Sequence, residues 1–126
     1  MNELRIDATQ STPAIVADWV NGRLKMRGDS YPENSFDFFE PIIGWVKKFL
    51  AESDKPFRVE LRLVYLNTSS VKAMMDIFDM LEEAHGGGRE VAVVWYYDGD
   101  NERIAELAEE FKEDCTFPFE IALAAA

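Results

Sequence analysis

Residues 57–88 read FRVELRLVYLNTSSVKAMMDIFDMLEEAHGGG, and this stretch decides the fold. Phe57, Val59, Leu61, Leu63 and Tyr65 alternate with Arg58, Glu60 and Arg62. A period of two is the mark of a strand with one buried face. Val64 and Leu66 add apolar residues on the other side, which predicts a strand half exposed at its start and buried at its end. From about Ser69 the period becomes helical, with Val71, Met74, Phe78 and Leu81 on an inner stripe running to His85. Three glycines then stop the helix, and His85 suits its negative pole.

Working outward, EVAVVWYY at 90–97 is a nearly continuous apolar run and predicts a central strand. Asp98-Gly99-Asp100-Asn101 turns the chain and offers a cap for a helix over 101–114, where Ile104, Leu107, Ala108 and Phe111 form one stripe. In Phe117-Pro118-Phe119-Glu120-Ile121, the proline predicts an edge strand or an extended tail. Upstream, a helix starts at Asn34 or Ser35 and runs to about Ala51, with Pro41 expected to kink it or to begin a second segment. Its two adjacent stripes, Phe36/Phe39/Ile43/Val46/Leu50 and Phe38/Ile42/Trp45/Phe49, call for burial on two sides or for a contact surface, and burial is the reading preferred. Asn21-Gly22 predicts a two-residue hairpin turn that pairs Trp19 with Leu24, Asp18 with Lys25 and Ala17 with Met26.

The order hairpin, helix, strand, helix, strand, helix, tail gives an α/β fold. It is one mixed β-sheet, an antiparallel hairpin plus strands joined by helices, packed with three main helices. One domain is expected over 1–123, with 124–126 an uninformative frayed end or a vector-derived remnant. Lys25, Arg27, Arg58 and Arg62 fall on the polar faces of their strands and predict a partly wet, basic sheet face.

The chain has 126 residues and a net charge of −11, which repels phosphate backbones and anionic membrane and argues against nucleic-acid binding. Seven acids stand against two bases in DNERIAELAEEFKED, residues 100–114, a solvated helix face. The lack of any run of 18 apolar residues argues against membrane insertion. No secretory pattern opens the chain, and the lone Cys115 fits a cytoplasmic protein.

A search for chemistry yields no enzyme. The single imidazole, His85, stands about 22 Å along the helix from Ser69 and Ser70, at 1.5 Å per residue, too far to act as their base. One His and one Cys make no zinc pattern, and DGDNE at 98–102 lacks the glycine and the closing acid of a calcium loop. Neither a metal nor a cofactor is expected, and no catalytic residue is assigned.

The four polar residues Asn67-Thr68-Ser69-Ser70 remain. One suffices as an N-cap. The others lie where a strand ends and a helix begins, on the rim that open α/β sheets use for binding. A phosphate here would add about −1.5 to −2 charges, which the positive helix pole tolerates and a docked partner does not.

STPA at 11–14, GDSYPENS at 28–35, FEPIIGWV at 39–46, YLNTSSVKAMMDIFDMLEEAH at 65–85, VVWYYD at 93–98, AEEFKED at 108–114 and FPFEI at 117–121 resemble the SiaC family of bacterial regulators. The resemblance covers nearly the whole chain. It implies a fold similar to STAS, or anti-anti-sigma-factor, domains and a role in partner switching that controls biofilm formation. It further implies a kinase that phosphorylates a threonine of the Asn-Thr-Ser-Ser motif and a PP2C-type phosphatase that reverses the step. The unphosphorylated form is implied to bind a diguanylate cyclase and to stimulate cyclic-di-GMP synthesis. On matching positions the acceptor is Thr68, framed by Asn67, Ser69 and Ser70. The loop Tyr31-Pro32-Glu33-Asn34 becomes a second border of the partner-binding surface. A conventional anti-anti-sigma factor acting on an anti-sigma kinase is the first alternative, and a small hydrolase using Ser69 or Ser70 is the second.

Overall fold

A computed structural model describes residues 3–124. The elements are β1 (Leu4–Ile6), β2 (Ala14–Asp18), β3 (Arg23–Ser30), α1 (Ser35–Glu52), β4 (Phe57–Leu66), α2 (Thr68–Gly86), β5 (Val91–Tyr97), α3 (Glu102–Glu113) and β6 (Phe119–Leu123). One sheet carries the strands in the order β1-β2-β3-β4-β5-β6. The first three are antiparallel, and β3 through β6 pair in parallel. Each of the three helical crossovers advances one strand in the same direction, so right-handed connections place all three helices on one face. The expected α/β fold with a mixed sheet and three helices is thus present.

Between the layers lies an aromatic and aliphatic core. Trp45 stacks on Phe49 at 5.5 Å, Trp95 stacks on Phe111 at 5.7 Å, and Phe78 meets Phe111 and Phe119 edge-on. The other face of the sheet is open and carries the expected bases. Arg23 lies directly opposite Arg58, and Arg27 opposite Arg62. Glu60 relieves this charge by pairing with Arg58 at 3.0 Å, and Asp98 does so with Arg62 at 3.0 Å.

Several expectations need correction. The hairpin register is Ala17↔Leu24 and Asp18↔Arg23, two residues from the register expected of a two-residue turn. The cause is Asp18, whose carboxylate accepts from the Asn21 backbone N–H at 3.1 Å and from its side-chain amide at 2.7 Å. That closes a four-residue connection in which Gly22 alone has positive φ, +65°, while Asn21 does not. Trp19 leaves the strand and packs edge-on against Trp45 and Phe49. Because the shift is even, Ala17, Leu24 and Met26 still face the core. Pro41 lies inside one continuous α1 on its exposed side, where water can satisfy the carbonyl its ring leaves unpaired. The strand β1 was not foreseen. Ala124, expected to fray, donates its N–H to the Tyr97 carbonyl at 2.8 Å, whereas Ala125 and Ala126 lie outside the described residues.

The end of β4 departs most from expectation. Leu63 pairs with Gly28 and Tyr65 with Asp29, so β4 takes two steps where β3 takes one. This bulge restarts the alternation. Leu63 and Leu66 remain buried, while Val64 is 42% and Tyr65 47% exposed. Tyr65 therefore sits outside the core face on which its spacing from Leu63 had placed it.

Candidate functional site

The parallel strands β3 and β4 end side by side, and each leads directly into a helix. Helices α1 and α2 thus begin together on one rim, each with an asparagine cap. The Asn34 side-chain Oδ1 accepts from the Asp37 N–H, and the Asn67 side-chain Oδ1 accepts from the Ser70 N–H at 2.9 Å. The amide nitrogen of Asn67 donates to the Pro32 carbonyl at 3.3 Å, and its backbone N–H donates to the Ser30 carbonyl at 3.0 Å. The loop Tyr31–Asn34 and the motif Asn67–Ser70 therefore lie side by side on this rim.

The hydroxyls of the motif divide by their bonds. Ser70 is fully buried, and its Oγ lies 2.8 Å from that of Ser30, also fully buried. Ser69 Oγ lies 2.7 Å from Ser35 Oγ and so clasps the first turn of α2 to that of α1. It also donates to the Asn67 side-chain Oδ1 at 3.3 Å. Thr68 is exposed at the first helical position, and its hydroxyl bonds to no other described residue. Of the three hydroxyls, Thr68 carries the one that solvent, or an enzyme, can reach unopposed.

Next to Thr68, at Ser69, a groove with an apolar floor and charged residues among its lining opens. It measures about 620 Å³ and runs between α1 and α2. Phe36, Phe39, Ile43, Ala73 and Met80 line its length; Ser35 and Ser69 stand at its head, with Lys47 and Lys72 at its edges. Phe36 is 73% exposed, which reverses the preference for a fully buried α1 stripe: Phe39, Ile42, Trp45, Val46 and Phe49 form the core face, and Phe36 belongs to the surface. Met75 is also exposed, two turns along α2 from Thr68. At the rim, Tyr31 and Tyr65 meet edge-on with ring centroids 6.0 Å apart, and both are exposed. Glu33 and Asn34 are exposed beside them, while Pro32 is buried. The contribution of Tyr65 escaped the sequence reading because it depends on the bulge.

His85 packs its ring near Phe117, at the far end of α2 from the motif. Ser69 and Ser70 thus have no imidazole at hand, and Ser70 is sealed besides. Burial pushes the Cys115 thiol up to about 11, helped by the negative charges of Glu82, Asp114 and Asp79. That suits a packing residue rather than a nucleophile. Among the described residues no helix is long and apolar enough to cross a membrane.

Known proteins match this chain along nearly its full length. The family model for the SiaC family regulatory phosphoprotein matches residues 6–124. An uncharacterised protein of Pseudomonas aeruginosa strain UCBPP-PA14 is 64% identical over 121 residues, covering 96% of each chain. The crystal structure of apo-SiaC from Pseudomonas aeruginosa superposes with a TM-score of 0.92 at 61% identity, covering 97% of this chain and 99% of that one. The crystal structure of diguanylate cyclase SiaD in complex with its activator SiaC, from the same organism, matches with a TM-score of 0.94 at 63% identity, covering 96% of this chain and 99% of its counterpart. This chain belongs to the SiaC family of regulatory phosphoproteins.

Proposed function

We propose that this chain is a partner-switching regulator that binds and activates a diguanylate cyclase while Thr68 is unmodified and lets it go when Thr68 is phosphorylated. The observation that carries the reading is the Thr68 hydroxyl: exposed, unengaged, and placed at the first turn of α2 beside an open apolar groove. Support for the partner comes from the 63% identity to the complex of SiaD with its activator SiaC. Support for the modification comes from membership of a phosphoprotein family. A serine/threonine kinase and a PP2C-type phosphatase are the corresponding modifying enzymes, and the chain itself acts without catalysis.

The mechanism is electrostatic. The unmodified groove offers Phe36, Ile43 and Met80 to an apolar segment of the cyclase. A phosphate on Thr68 places about −1.5 to −2 charges at the head of that groove. The adjacent starts of α1 and α2 present uncompensated backbone N–H groups and a doubled positive pole, so the free protein accepts the dianion without refolding. A cyclase seated in the groove would strip water from it, at a cost of several kcal/mol. Lys72, one turn from Thr68, is already engaged with Asp76 at 3.4 Å.

The test is cyclase turnover with defined protein forms. Wild type and Thr68→Ala should stimulate equally; Thr68→Glu and the phosphoprotein, its site verified by peptide mapping, should not. Full stimulation by the phosphoprotein would overturn the switch. Phe36→Ala, which removes an exposed ring, should weaken stimulation while leaving the melting temperature unchanged.

A further inference from the structure

Thr68 stands beside the groove and not in its lining, where α2 contributes Ser69, Lys72, Asp76 and Met80. A charge added at Thr68 must therefore be carried inward to be felt along the groove. The helix supplies the route. Four residues overshoot one turn by about 40°, so the row Thr68, Lys72, Asp76, Met80 winds from beside the groove head into its length. Within that row Lys72 Nζ donates to Asp76 Oδ1 at 3.4 Å. This pair helps to keep the groove neutral, since its charged lining sets Lys47 and Lys72 against Glu40 and Asp76.

Lys72 holds Asp76 loosely. The two side chains are 76% and 48% exposed, so water screens their attraction. The order is also the weaker one for a helix. An acid four residues before its cation follows the helix dipole, whereas an acid four residues after it opposes that dipole. Asp76 comes four residues after Lys72, and Thr68 four residues before it. A phosphate on Thr68 brings about −1.5 to −2 charges in the favourable order.

We infer that phosphorylated Thr68 takes Lys72 from Asp76, and that the freed Asp76 carboxylate carries the change of state into the groove; this rests on Thr68 being the acceptor and the groove being the seat of the cyclase. In the unmodified protein Lys72 neutralises Asp76, and an apolar segment can lie over the wall they form. In the modified protein the ammonium swings back one turn toward position 68. Lys47 alone then faces both Glu40 and Asp76. A partner entering the groove has to desolvate a carboxylate that has lost its cation, a cost added to that of the phosphate itself. The switch needs one lysine to change rotamer and no segment to refold.

The experiment measures cyclase affinity in two series. Without phosphate, Lys72→Ala should weaken binding about tenfold, because it frees Asp76 as the phosphate would. Lys72→Ala/Asp76→Asn should regain most of that loss. The double variant removes more than the single one, so its recovery cannot come from folding. In the second series phosphothreonine is incorporated at position 68 during synthesis, which leaves the kinase out of the assay. Referred to its own unmodified form, phosphorylated Asp76→Asn should bind at least about tenfold tighter than phosphorylated wild type. Lys72→Ala that binds like wild type, or a double variant no better than Lys72→Ala, would overturn the inference. So would equal losses on phosphorylation in Asp76→Asn and wild type, including no binding by either. Phosphorylated wild type that binds as tightly as the unmodified protein would instead remove the Thr68 reading on which the inference rests.

Discussion

Ser30 Oγ and Ser70 Oγ lie 2.8 Å apart with both residues fully buried, joining the end of β3 to the first turn of α2 directly beneath Thr68. Each hydroxyl is satisfied by the other in a place water does not reach. Ser70→Ala should therefore cost about 1–3 kcal/mol, because it strands the Ser30 hydroxyl. The double variant Ser30→Ala/Ser70→Ala should regain part of that loss, since no polar group is then left unpaired. Urea denaturation of the two single variants and the double variant gives the coupling energy.

Gly22 is the one residue of the hairpin connection with φ in the left-handed region, and a Cβ there would lie 2.3 Å from the Pro56 carbonyl oxygen. Since that contact is with backbone, the neighbour cannot rotate away. Gly22→Ala should destabilise the fold by about 2 kcal/mol or more, visible as a lowered denaturation midpoint. Asn21→Ala should cost far less, its φ being negative.

Arg89 closes the C-terminal end of α1 from a distance. Its guanidinium donates to the carbonyls of Ser53 at 2.8 Å, Lys55 at 3.3 Å and Leu50 at 3.4 Å, and stands 5.6 Å over the Phe49 ring. Arg89→Ala should cost about 2 kcal/mol. Arg89→Lys should recover little of it, because an ammonium cannot span several carbonyls as a planar fork does. Amide hydrogen exchange should localise the loosening to the last turn of α1.

The Cys115 thiol, raised from an ordinary 9.0 to about 11, should alkylate slowly at pH 8 and approach full reactivity only as the pH nears 11. Denaturant should restore ordinary rates. The folded state holds this proton more tightly than the unfolded state does, so its stabilising contribution is present below pH 9.0 and is lost as the pH rises toward about 11. An alkylation rate profile from pH 7 to 11, with and without denaturant, tests both statements.

Much of this was readable along the chain, because local chemistry decided it. Asn34, Asn67 and Asn101 each cap a helix by bonding three residues ahead, and such caps announce themselves in sequence. The parallel sheet followed from strands separated by helical repeats. What escaped depended on competition or distance. The Asn-Gly signal of the hairpin lost to the Asp18 carboxylate three residues earlier, which drew Asn21 into a longer turn. β1 spans only three residues and carries too little pattern to stand out. The Ser69–Ser35 and Ser70–Ser30 bonds bridge 34 and 40 residues, so the tetrapeptide showed that hydroxyls were to spare but not which were committed elsewhere. Arg89 reaches 36 residues back to Ser53, a distance at which nothing in its local sequence marks the contact.

The extra residue in β4 has an evolutionary corollary. Upstream of residue 64, hydrophobic selection sets the phase of the strand; downstream, that phase is reset, and with it the heading of Thr68. A related chain that deleted one position there could keep every core side chain from Phe57 to Leu63 and still rotate its threonine away from the rim. A single-residue gap at this point in an alignment would thus mark a lineage that has given up the modification proposed for Thr68 while its overall similarity stayed high.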